Sequence, residues 1–216
     1  EILEGELVDD NSISTEPTLS LPAPVTHNPR YTIGLVGFHD QGFIIARPTT
    51  PYSPWLRERI DTLHSRLGGM SNITDGLRQA FDLLAILPPG IRRTVWLLSS
   101  SAPNRELRSL FGVVSICREA RIAIHSVGLG RRCDSALLNE VATSSYRGSY
   151  HRTDNPHDLS TLLTASNPAG EPTSEATVVV IDCSHTMTGR LRQRSKISIV
   201  EEALLDLIYH QKQRAR

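Results

Sequence analysis

Apolar runs of strand length alternate with amphipathic helical segments along most of this chain, and this alternation restricts the fold more than any other feature. Strands that alternate with helices predict a mostly parallel sheet, because parallel neighbours need a long crossover connection that a helix supplies. Such a sheet is covered by helices on both faces. We therefore expect an α/β fold, a three-layer α/β/α Rossmann-like domain.

The individual elements follow from periodicity and from turn residues. Apolar runs at 31–38 and 42–48, separated by His-Asp-Gln-Gly, predict a hairpin of adjacent strands. Further strands are predicted at 94–101, at 122–130 and, as an edge strand, at 148–151. Helices are predicted at 55–67, 72–87, 105–121, 135–143 and 157–165. These elements make residues 30–165 the main part of one domain.

The most uniformly apolar strand candidate comes late in the chain, at residues 177–182 (TVVVID). A run of this kind is typical of the middle of a parallel sheet. The segment before it, 166–176, is small, polar and proline-bearing, which indicates a linker. An amphipathic helix follows it. Its apolar face comprises Ile197, Val200, Leu204, Leu207 and Ile208. Residues 177–216 are therefore expected to supply a central strand and its helix to the same domain.

Two other readings of this late strand and helix remain open. The strand and helix could begin a second copy of the domain, or they could complete a neighbouring chain by domain swapping. An eleven-residue linker reaches at most about 36–40 Å at roughly 3.3–3.6 Å per residue, which is enough to join neighbouring ends of one domain. Because domain termini often lie close together, a single chain can fold with this central strand and its helix placed last.

Charge and cysteine content bear on partners and compartment. The formal net charge is zero, so we expect neither nucleic acid nor an anionic membrane as the main partner. Three widely spaced cysteines predict neither a disulfide framework nor a zinc cluster, and they favour a reducing, cytoplasmic setting. No apolar run approaches the roughly 20 residues that a membrane span needs. Residues 1–29 form a Pro/Ser/Thr-rich arm with six acidic side chains and no Lys or Arg.

The candidate site follows the late strand. Asp182, Ser184 and Thr186 come at its carboxyl end, where open parallel sheets bind their ligands. A carboxylate with two hydroxyls is hard-oxygen chemistry suited to Mg²⁺. Short Asp/Ser/Thr loops are also common turn chemistry, so this pattern by itself leaves both readings open.

Four segments together resemble von Willebrand factor A domains. VVVIDCSHTM resembles the opening of those domains, whose metal-ion-dependent adhesion site begins Asp-x-Ser-x-Ser. LGGMSNITDGLRQAFDLL is similar to the family's Gly-Gly-x-Thr-Asn-Ile-x-x-Gly-Leu segment, with Ser71 in place of the metal-binding threonine. TVWLLSSSAPN and ARIAIHSVGLG resemble the two strands that follow. The resemblance covers about 31–165 and 177–216, and it implies a circularly permuted domain whose first strand and helix stand at the C-terminus.

The resemblance implies a non-enzymatic protein–protein interaction module. In the family, a metal at the top of the sheet accepts a carboxylate from the partner protein. Here Ser100 stands where the family has the aspartate of a Thr-Asp-Gly turn, so one carboxylate is lost and Mg²⁺ binding is expected to be weak. The implied metal ligands are Asp182, Ser184, Thr186, Ser71 and Ser100. The implied partner contacts include His185, Met70 and Asn104.

Two alternatives accompany this interpretation. Asp-x-Ser-x-Thr after an apolar strand also resembles haloacid-dehalogenase-type phosphotransferases, in which the first aspartate, here Asp182, is the nucleophile. Ser184 then replaces the second aspartate, normally the general acid, and no downstream lysine and acidic pair is evident. The other alternative is a metal-free scaffold of the same family within an intracellular complex. No catalytic residue is expected from the leading interpretation.

Overall fold

A computed structural model describes residues 30–102, 107–165 and 174–215. The strands of its main sheet are β1 Tyr31–Phe38, β2 Gly42–Thr49, β3 Arg92–Ser99, β4 Ile122–Leu129, β5 Tyr150–Thr153 and β6 Glu175–Asp182. The α-helices are α1 Pro54–Asp61, α2 Ile73–Ala85, α3 Leu107–Glu119, α4 Ser135–Ser144, α5 Pro156–Thr164 and α6 Lys196–Arg214. The arm at 1–29 and most of the predicted linker, 166–173, lie outside the described residues.

The late strand β6 lies in the middle of the sheet. The strand order is β2-β1-β6-β3-β4-β5, and β6 runs parallel to both of its neighbours. Within this sheet of the described residues, β2 is antiparallel to its hairpin partner β1, and the other pairs are parallel. The predicted α/β fold with a mostly parallel sheet is therefore confirmed, and so is the central position of the strand. Counted from β6, the order becomes 3-2-1-4-5-6, which is the order of a doubly wound sheet.

Helices cover both faces of this sheet and so make three layers. One core lies under α2, α3 and α4, and the other lies under α1, α5 and α6. Strand β6 supplies both cores by the two-residue period of a strand, with Val178 and Val180 in the first and Val179 and Ile181 in the second. Each fully buried Val or Ile contributes about 1.5–3 kcal/mol relative to exposure. A central position explains why this run has no polar face.

Helix α6 begins at a cap and ends beside β1. The Ser195 hydroxyl accepts a hydrogen bond from the Ser198 amide at 3.2 Å, which satisfies one of the free donors of the first turn. At the other end, the Arg214 guanidinium lies 4.7 Å from the centre of the Tyr31 ring and 3.7 Å from the Glu175 carboxylate. The apolar face predicted for this helix is buried. The last turn of α6 thus lies next to the beginnings of β1 and β6.

Two of the predicted boundaries that differ from the structure have a local cause. The helix predicted at 55–67 ends at Asp61, because the Thr62 hydroxyl donates to the Arg59 carbonyl at 2.7 Å and a 3₁₀ turn follows at Leu63–Arg66. The edge strand predicted at 148–151 lies at Tyr150–Thr153. Gly148 is packed against backbone carbonyl oxygens of Ile124 and Ala142, so the chain turns there before it pairs with β4.

The predicted linker, 166–176, extends too far. β6 already begins at Glu175, whose amide donates to the Arg30 carbonyl at 2.7 Å, and Ala176 is buried. A 3₁₀ turn at His185–Thr188 and a short hairpin, β7 Arg190–Leu191 with β8 Arg194–Ser195, were not predicted. None of the helices in the described ranges combines the length and apolar character that a membrane crossing requires.

Candidate functional site

The loops that follow β6 and β3 meet at the carboxyl ends of these strands, and this meeting point is named the crevice. These strands are neighbours, but α6 after β6 packs on one face of the sheet and α3 after β3 packs on the other. The segments that follow β6 and β3 therefore diverge to opposite faces of the sheet. Such a switch point is where open α/β sheets bind ligands. The crevice is lined by Asp182, Ser184 and Thr186 from one loop and Ser100 from the other.

The Asp182 carboxylate is fully buried and is held by four donors. Its Oδ1 accepts from the Ser184 amide at 2.9 Å. Its Oδ2 accepts from the Ser100 amide at 3.1 Å and from the Ser99 and Ser101 hydroxyls at 3.2 and 3.4 Å. A carboxylate offers about four acceptor positions, so protein donors occupy most of this group's capacity. Asp182 therefore joins the two loops of the crevice.

Three hydroxyl groups form a chain above this carboxylate. Thr186 Oγ1 lies 2.7 Å from Ser100 Oγ and 2.8 Å from Ser184 Oγ, both of which are hydrogen-bond distances. Ser100 and Ser184 are buried, whereas Thr186 is exposed. Since a hydroxyl donates or accepts as required, the chain offers adaptable hydrogen bonds to a ligand at the surface.

The loop that carries Ser71 adjoins this site. Gly68 donates from its amide to the Cys183 carbonyl at 2.8 Å, and Asn72 donates to the His39 carbonyl at 2.8 Å. Gly69 has a φ of +61° and packs so closely on Asp40 that a side chain there would collide with it. Ser71 is 2% exposed within this loop. The family-like glycine pair thus serves the turn that brings the loop to the crevice.

The structure brings four of the five predicted metal ligands into direct contact: Asp182, Ser184, Thr186 and Ser100. Ser71 lies buried in the adjoining loop. Of the predicted partner contacts, His185 and Met70 are exposed at the rim. Asn104 lies outside the described residues.

Sequence reasoning missed Lys196. This side chain is only 7% exposed, and its Nζ donates to the Ser100 carbonyl at 3.4 Å. Burial lowers the pKa of Lys196 from its ordinary value, while the negative charge of Asp182 opposes that change. Its position at the first residue of the helix after the Asp-x-Ser-x-Thr loop is the signal that pointed to it.

Ser99 and Ser101 also contribute to the site, although only Ser100 was assigned from the sequence. Both donate to Asp182, and the run of three serines at the end of a central-type strand was a visible signal. Cys183 next to Asp182 is buried, and burial raises the pKa of its thiol to about 12. It is therefore a small core residue and not a nucleophile.

The resemblance implies that the predicted metal ligands hold Mg²⁺. Affinity for a hard cation depends on the charge of its ligands. The crevice holds one carboxylate, whose acceptors are engaged by protein donors, and the positive charge of Lys196 acts on Asp182 from its place against the Ser100 carbonyl. The residues present therefore do not fit a divalent cation. In the described part of the chain no group of three or more His, Cys, Asp or Glu that could hold a metal ion is found.

Comparison with known proteins adds little to this geometry. No family model matches the chain, and no curated protein matches it. Among solved structures, the chain is similar to an uncharacterized membrane spanning protein from Vibrio fischeri, at 24% identity over 61% of this chain and 72% of that chain. The TM-score is 0.31, so this likeness carries no argument. Fold and site together define an α/β domain with a polar crevice at its switch point.

Proposed function

We propose that this chain is a permuted von Willebrand factor A-type interaction module, which binds a partner protein at the crevice between β6 and β3. The observation that carries the proposal is the junction of two family-like segments at one buried carboxylate. The Asp-x-Ser-x-Thr loop and the serine turn after β3 meet at Asp182. The third family-like segment, with its glycine pair, is hydrogen-bonded alongside.

The chemistry of the crevice supports binding. Thr186 offers an exposed hydroxyl, and Met70 and His185 give the rim an apolar and an aromatic contact. Met70 is 44% exposed, and flexible methionine side chains adapt well to protein surfaces. A rigid sheet with adaptable loops at one edge is a common arrangement for recognition.

Nothing in the geometry favours the phosphotransferase alternative. A nucleophilic aspartate must reach its substrate, but Asp182 is fully buried and engaged by four donors. The cytoplasmic setting belongs to the same proposal, and its support is that Cys117, Cys133 and Cys183 are free and buried.

Site-specific photo-crosslinking tests the proposal. A benzophenone amino acid at His185 lies at the rim of the crevice. The same group at Arg118 lies near the end of α3, on the side of the sheet where the parallel strands begin. Irradiation in cells is expected to give a discrete adduct of higher mass from the His185 position and none from Arg118.

The partner in that adduct is to be identified by mass spectrometry and the contact reproduced with the purified proteins. Equal adducts from the two positions, or none from His185, would contradict an interaction site at the crevice.

A further inference from the structure

Lys196 reaches the crevice through a passage lined by backbone. Its own amide donates to the Gly189 carbonyl at 3.0 Å, which sets the beginning of its side chain. A methyl group on Gly130 would lie 3.6 Å from Lys196 Cε and 3.8 Å from Nζ, so the stem passes directly against this turn after β4. The ammonium then meets the carbonyl of Ser100. Backbone on two sides thus directs a positive charge to the switch point.

The positive charge of Lys196 lies close to a buried negative charge. Asp182 is a fully buried anion, and an unbalanced buried charge is costly. Lys196 interacts electrostatically with Asp182, and no second carboxylate stands at Ser100. One carboxylate and one ammonium sum to zero. A divalent cation would add two positive charges to a neutral group of donors, whereas an anionic partner would meet no net negative charge.

The surface beside the crevice is strongly basic. Arg131 and Arg132 follow the turn at Gly130, and Arg190 and Arg192 flank Leu191 in the β7–β8 hairpin. The two segments touch, since a methyl on Gly130 would lie 3.3 Å from Leu191 Cδ1. All four arginines, hereafter the arginine rim, are exposed, and within the described ranges none of them is in an ion pair.

Nearby acids offset only part of this charge. Asp134 caps α4 by accepting from the Leu137 amide at 3.0 Å, and Glu202 pairs with Arg194 instead. Concentrated positive charge at the mouth of a crevice attracts anionic ligands and speeds their association. Arginine also binds carboxylates with two parallel hydrogen bonds, which adds geometric selectivity.

We propose that Lys196 takes the place of a metal ion in this crevice, and that the crevice with its arginine rim binds an acidic segment of a partner protein without any divalent cation. This proposal rests on the proposed function and specifies the chemistry of its partner. The buried ammonium neutralises Asp182, the arginine rim contacts the partner's carboxylates, and Thr186 offers an exposed hydroxyl.

Thermal unfolding with and without Mg²⁺ or Mn²⁺ tests the role of Lys196. The unaltered protein is expected to melt at the same temperature in millimolar metal and in EDTA. The double substitution Ser100→Asp with Lys196→Met exchanges the ammonium for a second carboxylate, and its melting temperature is expected to rise by a few degrees in metal. Ser100→Asp alone, which keeps the ammonium, is the matched control and should respond less.

Two outcomes would overturn this role. A metal-dependent rise in the unaltered protein would show that the native crevice takes the cation. The absence of a rise in the double variant as well would show that Lys196 is not what excludes the cation.

The partner's chemistry is tested with a fluorescent hexaglutamate peptide, and hexalysine serves as the control. Binding to the full chain is expected in EDTA and is expected to be unchanged by Mg²⁺. Arg131→Glu with Arg190→Glu should weaken it by roughly tenfold or more, because two attractive charges become repulsive. Arg57→Glu with Arg118→Glu changes the net charge equally on exposed residues of α1 and α3 and should leave binding nearly unchanged.

Lack of hexaglutamate binding, a requirement for Mg²⁺, or an equal loss in the two double variants would overturn the proposal. The crosslinking experiment separates this failure from that of the proposed function. A confirmed crevice adduct without hexaglutamate binding leaves an interaction module with a different partner chemistry. Hexaglutamate binding without an adduct leaves an anion site but no protein partner.

Discussion

Gly42 shows how closely the loops around the site depend on single residues. It begins β2, and its amide donates to the Asp75 carboxylate at 2.6 Å in the first turn of α2. A Cβ at this position would lie 2.7 Å from the Asp75 carbonyl carbon and oxygen and 2.9 Å from the Gly76 nitrogen. Backbone atoms cannot rotate away as a side chain can. The hairpin and α2 approach each other this closely only because residue 42 has no side chain.

Gly42→Ala is therefore expected to lower the free energy of unfolding by about 1–3 kcal/mol, the usual cost of forcing extra atoms into a packed region. Urea unfolding measures this change. Gly112→Ala is the matched control, because Gly112 lies within α3 with no atom within 4 Å of the new methyl group. That substitution should raise the free energy of unfolding by roughly 0.5–1 kcal/mol. Equal effects of the two substitutions would contradict this account.

At the same scale, the sequence predicted the site only in part. Asp182, Ser184 and Thr186 could be assigned because they follow a strand whose apolar character already indicated the sheet centre. Ser100 could be added because it stands where the resembled family has the aspartate of its Thr-Asp-Gly turn. Lys196 was marked only by its place at the beginning of the helix, because its contact with Ser100 depends on the path of its side chain past Gly130, which only the fold shows.

At the scale of elements, β6 and α6 show most clearly that the order of elements in the chain differs from their order in the sheet. The apolar run at 177–182 predicted a central strand although it comes last in the chain, because only burial on both faces removes the polar positions of a strand. The short β7–β8 hairpin was not predictable in the same way. Its two-residue strands are too short for a period, and Arg192 has a φ of +56°, which residue type does not reveal.

The position of α6 predicts that the order of elements can be changed. Arg214 lies against Tyr31 and Glu175, so the end of α6 is close to the beginning of β1. A chain in which residues 174–216 precede residues 30–165, joined by a short Gly/Ser linker, is expected to fold to the same structure. Circular dichroism and the melting temperature check this, and the melting temperature should stay within about 5 °C of the original, a shift of roughly 1–2 kcal/mol.

The control for that experiment opens the chain between Leu97 and Leu98. This position lies inside β3, where both residues are buried and paired with β6. Loss of a continuous central strand should abolish folding. If the re-ordered chain failed to fold as the control does, the view of β6 and α6 as the displaced first elements of one domain would be wrong.

At the scale of the whole molecule, the connection into β6 decides whether one chain can complete its own sheet. Ala165 at the end of α5 and Glu175 at the beginning of β6 line the same small cavity. The nine residues between them, 166–174, can reach at most about 30–32 Å at roughly 3.3–3.6 Å per residue. The two ends of this connection therefore lie well within its reach, and closure within one chain needs no strain.

Domain swapping is favoured when a short hinge is strained, and this connection gives no such reason. Exchange of β6 and α6 between two chains would form the same pairs with β1 and β3 while losing the entropy of a second free molecule. The protein is therefore expected to be a monomer of 23.9 kDa at micromolar concentration. Light scattering after size exclusion measures the mass. A stable species of twice that mass, which returned to monomer only after unfolding, would indicate that β6 and α6 complete a neighbouring chain.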